Sequence, residues 1–315
     1  MSLYDDLVSK VKVLNETIWE DRATRRRVDD WLSNFDDSSV PSERVHALYL
    51  LSRFMYFGDR ELRALLRALY RDLYQPPVIQ AIRRRHGNTT DLRIIEQSFA
   101  LALQNTRFLG VGNPSESGAH LLYYFRQENQ LSRRSFAHAH ELFRRYDKKD
   151  ARLKWPTVTR YVFLDDFCGS GSQAARFCTS VVAGIRKRNK RARISYYMLF
   201  GKTEGIAHLR NMFDDVQALF ELDGTYKSFV ADSRYFLDAP PGIDRSFADS
   251  MARTHGGRLW SDHPLGFDDG QLLIGFHHNT PDNTLPIIWH DEATSGWTPI
   301  FRRYPKHYGW GGGGI

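Results

Sequence analysis

The sequence predicts a helical N-terminal region followed by an α/β domain with a doubly wound parallel sheet. In the first hundred residues leucines recur at helical spacing, as at Leu62, Leu66 and Leu69. From about residue 101, short apolar runs alternate with glycine-containing loops and helical segments, which is typical of parallel strands covered on both faces. The expected boundaries are residues 1–100 for the helical region, 101–305 for the α/β domain and 306–315 for a flexible tail.

The helical region also carries arginines on the side opposite its leucines, for example Arg60, Arg63 and Arg67. An amphipathic helix of this kind usually packs within a structural or partner-binding lobe. A small winged-helix-like nucleic-acid reader is the alternative. That alternative depends on the arginines alone, since the strand pair of a wing is not recognisable in the sequence.

Composition limits the class of protein. The 315 residues are 42% hydrophobic and 26% charged, as in folded chains. No stretch approaches the ~20 apolar residues that span a bilayer, and the first ten residues lack the apolar block of a secretory signal. Cys168 and Cys178 are the only two cysteines, which argues against a disulfide-rich secreted fold. We therefore expect a cytoplasmic protein without a membrane partner, and the net charge of +7 favours polyanionic or phosphorylated ligands.

The segment after the predicted strand 161–164 is the strongest candidate for chemistry. Two carboxylates, Asp165 and Asp166, come before a turn of small residues. The turn consists of Gly169, Ser170, Gly171 and Ser172. Glycines allow close backbone approach, and the amides of such a turn attract anions together with the N-terminus of the following helix. The pattern predicts a phosphate monoester site, with carboxylates near enough for sugar hydroxyls or Mg²⁺. A turn that merely caps the helix is the alternative.

This segment resembles the ribose-phosphate loop of phosphoribosyltransferases, in which two acids and two spacers precede a turn rich in hydroxyl residues. On that pattern Asp165 and Asp166 match the acids that hold the ribose hydroxyls, and residues 169–172 match the turn that binds the 5′-phosphate. Gly169 and Gln173 depart from it, because the family has hydroxyl residues there. The resemblance implies a phosphoribosyltransferase-type domain that binds phosphoribosyl pyrophosphate (PRPP) or a nucleotide and acts at the anomeric carbon.

More of the chain is similar to the phosphoribosyltransferase-like effectors of bacterial conflict systems, including those encoded beside retron reverse transcriptases. The matching segments are 115–118 and 278–284, followed by Trp289, in addition to the loop itself. This resemblance implies an anti-phage effector that is toxic when released, with a reverse transcriptase and its RNA–DNA product as candidate partners. The departures at Gly169 and Gln173 leave a second class open, a catalytically inactive module that senses nucleotides within a retron complex.

A different resemblance concerns the same loop. Residues 164–172 are similar to motif I of DNA amino-methyltransferases, whose glycines approach S-adenosylmethionine. Asp166 stands where that motif has proline, and the chain has no complete Asn/Asp-Pro-Pro-aromatic motif to receive the target amine. An S-adenosylmethionine-dependent methyltransferase is therefore the next alternative.

Two further loops belong to the predicted site. A pyrophosphate loop is expected after the strand 106–111, where the transferases keep theirs. Its residues are Ser115, Glu116, Ser117 and Gly118. Lys202 follows the strand 194–200 and is expected to neutralise a phosphate or a leaving pyrophosphate, although a solvent-exposed lysine is equally compatible with the sequence. The predicted catalytic residues are Asp165, Asp166 and Lys202, in a transferase or a nucleotide glycosidase, with catalysis itself left open.

Polar residues are concentrated between Phe276 and Trp289. Their density exceeds what a turn requires and predicts a flap on the base or ribose side, with His278 or Asn279 in contact. No Cys/His quartet for zinc is present. Mg²⁺ held by Asp165, Asp166 and the ligand's phosphates is the one metal that we expect.

A basic run extends from residue 186 to residue 193, with six cations in eight positions. Such a run can bind nucleic-acid phosphates in a salt-dependent way. The alternative is a solvated connection at the amino end of the sheet.

Overall fold

A computed structural model describes residues 2–36, 38, 40–112, 117–145, 151–291 and 296–304, with the backbone alone for 117–120 and 145. The helices are α1 (Leu3–Thr17), α2 (Arg25–Leu32), α3 (Glu43–Leu51), α4 (Asp59–Ala68), α5 (Gln75–Arg85), α6 (Leu92–Gln104), α7 (Ser117–Glu128), α8 (Ser172–Arg188), α9 (Thr203–Leu209), α10 (Arg245–Leu259) and α11 (Pro286–Trp289). The strands are β1 (Met55–Phe57), β2 (Thr106–Gly110), β3 (Phe143–Arg145), β4 (Ala151–Leu153), β5 (Arg160–Cys168), β6 (Arg193–Lys202), β7 (Asp215–Leu222) and β8 (Ile274–Phe276). A π-helical stretch, Leu69–Tyr74, joins α4 to α5.

Contacts divide the chain into two compact units. One unit comprises Met1–Asp59 with Asp223–Ile315, and the other comprises Arg60–Leu222. These cuts differ from the boundary near residue 100 that composition suggests. The helical character of residues 1–100 is present, since α1 to α5 lie there together with the short strand β1. The functional domain boundaries stay a prediction.

The unit Arg60–Leu222 is built on a sheet with the strand order β2–β5–β6–β7, in which all neighbours are parallel. A parallel bridge between Phe108 and Phe136 extends the outer side of β2, and the N–H of Ala137 donates to the carbonyl of Phe108 at 3.1 Å. The predicted strands near residues 106, 161 and 194 correspond to β2, β5 and β6. The parallel α/β prediction is confirmed.

Helices cover both faces of this sheet. On one face Phe163 of β5 is buried in the same core cluster as Cys178 of α8. On the other face the ring centroid of Phe108 lies 5.0 Å from that of Tyr74 and 5.1 Å from that of Phe125 in α7. Strands buried on both faces require apolar side chains in both directions, which explains the continuous apolar runs of β5 and β6. The doubly wound arrangement is also confirmed.

The other unit has its own core, in which α1 to α3 pack with α10 and α11. Trp19 and Trp31 are fully buried there, and the indole N–H of Trp31 donates to the carbonyl of Ile287 at 2.8 Å. β1 pairs in parallel with β8. Within the described part of the whole chain, no helix combines the length and apolar character that a membrane span needs.

Adjacent glycines in α10 give a matched test of this packing. A Cβ on Gly256 would overlap the carbonyl oxygen of Pro264, whereas a Cβ on Gly257 would meet nothing within 4 Å. We expect Gly256→Ala to lower the free energy of unfolding by about 1–3 kcal/mol. Gly257→Ala should raise it by up to about 1 kcal/mol, because alanine is the better helix former. Urea denaturation of the two variants checks this, and equal effects would contradict the packing described here.

Candidate functional site

Strand β5 continues through both acids of the candidate loop. Asp165 pairs in register with Met198 and Cys168 pairs with Gly201, so β5 extends four residues past the apolar run that predicts it. Successive side chains of a strand point to opposite faces of the sheet. Asp165 and Asp166 therefore lie on opposite faces rather than side by side.

Asp165 is half-buried on the face covered by α8 and α9. Its Oδ2 accepts a hydrogen bond from the hydroxyl of Tyr196 at 2.5 Å, and its Oδ1 accepts the N–H of Asp166 at 3.0 Å. Burial, followed by the nearby Asp165 carboxylate, raises the pKa of Tyr196 well above its ordinary value. The phenol thus keeps its proton and acts as a donor that fixes the Asp165 carboxylate.

Asp166 is the more buried of the two acids, with 7% of its surface exposed. Its Oδ1 accepts the N–H of Phe167 at 2.9 Å. A buried carboxylate is costly unless it is hydrogen-bonded, so this bond helps the chain to keep an acid there. The roles of both acids toward a ribose stay predictions, and the strand geometry directs them to different sides.

The turn between β5 and α8 leads directly into the helix. α8 begins at Ser172, and its N-cap is Gly171, a residue without a side chain to cap the helix. The N–H of Ser172 donates to Oγ of Ser170 at 3.4 Å, and the Ser170 hydroxyl donates to Oγ of Ser172 at 3.1 Å. A purely structural capping role of the turn therefore stays the alternative. A helix N-terminus with hydroxyls beside it is suited to an anion.

Close packing against α9 holds this turn in place. Gly171 has φ +77°, in the left-handed region, and a Cβ there would lie 3.0 Å from the carbonyl oxygen of Gly205. A Cβ on Gly205 would in turn overlap the carbonyl oxygen of Gly169. Gly171 of the turn and Gly205 of α9 are therefore required by packing, and Gly171 is also suited to ligand approach.

Lys202 is the last residue of β6 and lies at the same edge of the sheet as the turn. The pairing of Gly201 with Cys168 puts it one residue beyond the end of β5. Its side chain is 7% exposed, and its Nζ is 4.0 Å from Oε2 of Glu204. The alternative of a solvent-exposed lysine is wrong, since the side chain is buried. The role of Lys202 toward a phosphate stays a prediction.

The predicted pyrophosphate loop begins at the same edge. Gly110 of β2 pairs with Leu164 of β5, and the chain then turns through Gly112 at φ +94°. Ser115 and Glu116 lie outside the described residues. Ser117 and Gly118 belong to the first turn of α7, where the backbone alone is described. The role of this loop stays a prediction.

His278 and Asn279 belong to the other compact unit. The amide of Asn279 accepts the N–H of Tyr304 at 2.8 Å and donates to the carbonyl of Tyr304 at 3.3 Å. Thr284 likewise donates to the carbonyl of Ile274 at 2.7 Å. Much of the polar density of this segment thus satisfies the unit's own backbone. The base-side role of His278 and Asn279 stays a prediction.

The donor set does not form a metal site by itself. Among the described residues no group of three or more His, Cys, Asp or Glu could hold a metal ion. Asp165 and Asp166 point to opposite faces, and Asp165 already accepts from Tyr196. Two such carboxylates do not fit one Mg²⁺ ion, which needs near-octahedral oxygen ligands. We derive no step through Mg²⁺.

The cysteines beside the acids are not suited to nucleophilic chemistry. Burial, and then the Asp165 carboxylate, raise the pKa of the Cys168 thiol to about 12. The same causes raise the pKa of Cys178. A cysteine reacts as the thiolate, so both are inert near neutral pH.

Two residues of the site escape prediction from the sequence. Tyr196, which fixes Asp165, lies on another strand, and Gly205, which receives the turn, lies on another helix. The continuous apolar run of β6 marks Tyr196 as buried. Only the register of β6 against β5 shows that it meets a carboxylate.

Known proteins share features with this chain. The family model PRTase-CE matches residues 28–303, and no curated protein matches. A Helicobacter pylori xanthine-guanine-hypoxanthine phosphoribosyltransferase is similar at 10% identity and TM-score 0.31, over 54% of this chain and 89% of that one. Orotate phosphoribosyltransferase from Aeropyrum pernix is similar at 14% identity and TM-score 0.25, over 42% of this chain and 77% of that one. The AQ2163 protein from Aquifex aeolicus is similar at 9% identity and TM-score 0.28, over 63% of this chain and 83% of that one. TM-scores this low do not support any conclusion about the activity of this chain.

Thiol labelling tests the environment of the acids. In the native protein at pH 8 we expect Cys168 and Cys178 to react with a thiol-specific disulfide reagent far more slowly than after unfolding. At pH 10 the native Cys168 thiol should still be mostly protonated and slow to react, because its pKa is raised to about 12 from an ordinary value of 9.0, whereas the thiols of the unfolded chain should be largely ionised. Rapid labelling of either thiol in the native state at pH 8 would contradict the burial of the two cysteine side chains.

Proposed function

This chain belongs to the PRTase-CE family, and we propose that it binds a ligand carrying ribose 5-phosphate, namely PRPP or a nucleotide. The site is the carboxyl edge of the β2–β5–β6–β7 sheet. The observation that carries the proposal is the start of α8 behind the turn 169–172, with a glycine as its N-cap and two serine hydroxyls beside it. Ligands of open parallel sheets bind beyond the carboxyl ends of the strands, where this turn lies.

The turn supplies the phosphate contacts in this proposal. The first amides of α8 have no acceptor within the helix, and the helix dipole favours a negative group there. The Ser170 and Ser172 hydroxyls, 3.1 Å apart, are close enough to donate to two oxygens of one phosphate. Hydrogen bonds to a charged phosphate are stronger than those to a neutral group.

The acids and the lysine supply the chemistry at the anomeric carbon. The bond from C1 to the leaving group breaks, its electron pair departs with the leaving group, and an oxocarbenium-like sugar remains. The Asp165 carboxylate, fixed by Tyr196, is available to orient the sugar or stabilise its positive charge. Lys202, a buried cation at the next strand end, neutralises the departing diphosphate. Water or an acceptor base then bonds to C1 and loses a proton, which gives a glycosidase or a transferase.

The biological role that we propose is that of an anti-phage effector, toxic when released and associated with a reverse transcriptase and its RNA–DNA product. Its support is the resemblance of the loop, of 115–118 and of 278–284 to such effectors. A ligand sensor without catalysis is the second candidate. The observation that favours it is the position of Asp165 and Asp166 on opposite faces, where they do not form one pair toward a ribose.

Part of the basic run 186–193 supports the proposed binding of nucleic acid. Arg186 pairs with Asp214 at 2.9 Å, and Arg193 lies 3.6 Å from the Asp215 carboxylate. Arg188 donates to backbone carbonyls. Three exposed cations have neither an acidic side chain nor a backbone carbonyl as partner among the described residues, namely Lys187, Lys190 and Arg191. Half of the run is therefore available for phosphate contacts.

Serine substitutions in the turn test the phosphate site. Ser170→Ala with Ser172→Ala should weaken the binding of PRPP by about ten- to a hundredfold, because hydrogen bonds to a charged group are lost. Ser180→Ala, an exposed serine further along α8, is the matched control. Calorimetric titration measures the affinities. Equal affinity of the double variant and the control would contradict the site.

Asp165→Asn separates catalysis from sensing. The variant keeps the shape of the side chain and removes its charge, so an enzyme should lose at least about a hundredfold in turnover of PRPP or nucleotides while ligand affinity changes little. Turnover is measured as released pyrophosphate or free base, with and without Mg²⁺. If wild-type protein binds the ligand and shows no turnover, the sensor is the correct function. Wild-type activity in Asp165→Asn would refute the catalytic role.

Neutralising the exposed cations tests the nucleic-acid surface. Changing Lys187, Lys190 and Arg191 to Gln should make the plot of log affinity for nucleic acid against log salt concentration less steep. The change in slope should correspond to the loss of about two to three phosphate contacts. Lys12→Gln, an exposed lysine of the other unit, is the control. Filter binding over a range of salt concentrations gives the slope. An unchanged slope would exclude this run as the nucleic-acid surface.

A further inference from the structure

A cavity of about 410 Å³ opens beside α7 in the unit Arg60–Leu222. Its walls include aromatic, basic and acidic side chains. Those that bear on ligand chemistry are Tyr123, Arg126, Arg133, Phe136, His138 and Glu141. None of them belongs to the candidate loop 165–172, and Lys202 is not part of the wall. The volume suits a ligand of nucleotide size.

The walls of this cavity are fixed to the sheet. Tyr123 and Arg126 are one turn apart on α7 and so share a face of that helix. Phe136 and Ala137 belong to the opposite wall. Phe136 forms a β-bridge with Phe108, and the N–H of Ala137 donates to the carbonyl of Phe108 at 3.1 Å. The cavity is therefore attached to the outer side of β2.

The charge inside the cavity is positive. Neither Arg126 nor Arg133 has an acidic partner among the residues that the structure describes. The one carboxylate of the wall is already engaged. Oε2 of Glu141 accepts the N–H of His138 at 3.0 Å, and its Oε1 lies 3.6 Å from Nζ of Lys154. Two arginines without counter-ions favour an anion, and guanidinium groups match phosphate oxygens in geometry.

The cavity also presents exposed aromatic surface. The side chain of Tyr123 is 52% exposed, which is unusual for a large ring, and the guanidinium of Arg126 lies 5.8 Å from its ring centroid. Phe136 is half-buried on the opposite wall. Aromatic rings beside arginine form stacking surfaces for planar bases.

From these contacts we propose that the cavity is a second ligand site, which binds a nucleoside monophosphate through Arg126 and Arg133 on the phosphate and Tyr123 on the base. The site is independent of the proposed chemistry at residues 165–172. It gives the unit one phosphate site made of backbone amides and another made of arginines.

Calorimetric titration with AMP and UMP tests this site in the Ser170→Ala, Ser172→Ala background, which removes the hydroxyl contacts of the other phosphate site. We expect saturable binding that Arg126→Gln with Arg133→Gln weakens about tenfold or more, since charged hydrogen bonds are lost. Arg134→Gln, the exposed neighbour of Arg133 outside the wall, should change affinity less than about twofold. Adenosine lacks the phosphate and ribose 5-phosphate lacks the base, so each should bind more weakly than AMP.

Absence of AMP and UMP binding in that background would overturn the proposal, as would equal affinity of the arginine variants and Arg134→Gln. Arg133 is exposed, so the single variant Arg133→Gln keeps the test valid if the double variant does not fold. Failure here leaves the effect of the serine substitutions on PRPP binding untouched. The two proposals therefore fail separately.

Discussion

The carboxyl edge of the central sheet depends on the close approach of two glycine backbones. Gly171 lies against Gly205, and Gly205 lies against the carbonyl oxygen of Gly169. A side chain at either position would force the turn after β5 away from α9. This contact holds the start of α8 in place, and with it the direction of the amides at its N-terminus. It also keeps the buried end of β6, with Lys202, beside the turn.

Charge is used differently at the two ends of the sheet. At the carboxyl edge a few charged groups are buried and held, such as Asp166 and Lys202. At the amino edge Arg186 pairs with Asp214 and Arg193 with Asp215, whereas Lys187, Lys190 and Arg191 are exposed. Burial strengthens interactions with a bound ligand, whereas exposed cations act through long-range attraction that salt screens. The first arrangement is typical of a small-molecule site and the second of a polyanion surface.

Local features of this fold could be predicted from the sequence, but long-range contacts could not. The apolar run before Asp165, the glycines and the helix after them indicate a strand, a turn and a helix, because these signals lie within a few residues of one another. The hydrogen bond from Tyr196 to Asp165 joins residues 31 positions apart, and it depends on the register of two strands. The segment around Asn279 shows a related limit. Polar residues indicate that hydrogen bonds are needed there, but not that the backbone of Tyr304 is the partner.

We propose that the amides at the start of α8 bind the 5′-phosphate of a ribose ligand. Backbone amide resonances recorded during titration with ribose 5-phosphate test this binding most directly. We expect the amide resonances of Ser170 and Ser172 to shift progressively and to saturate together. Binding of ribose 5-phosphate that leaves both amides unmoved would contradict it.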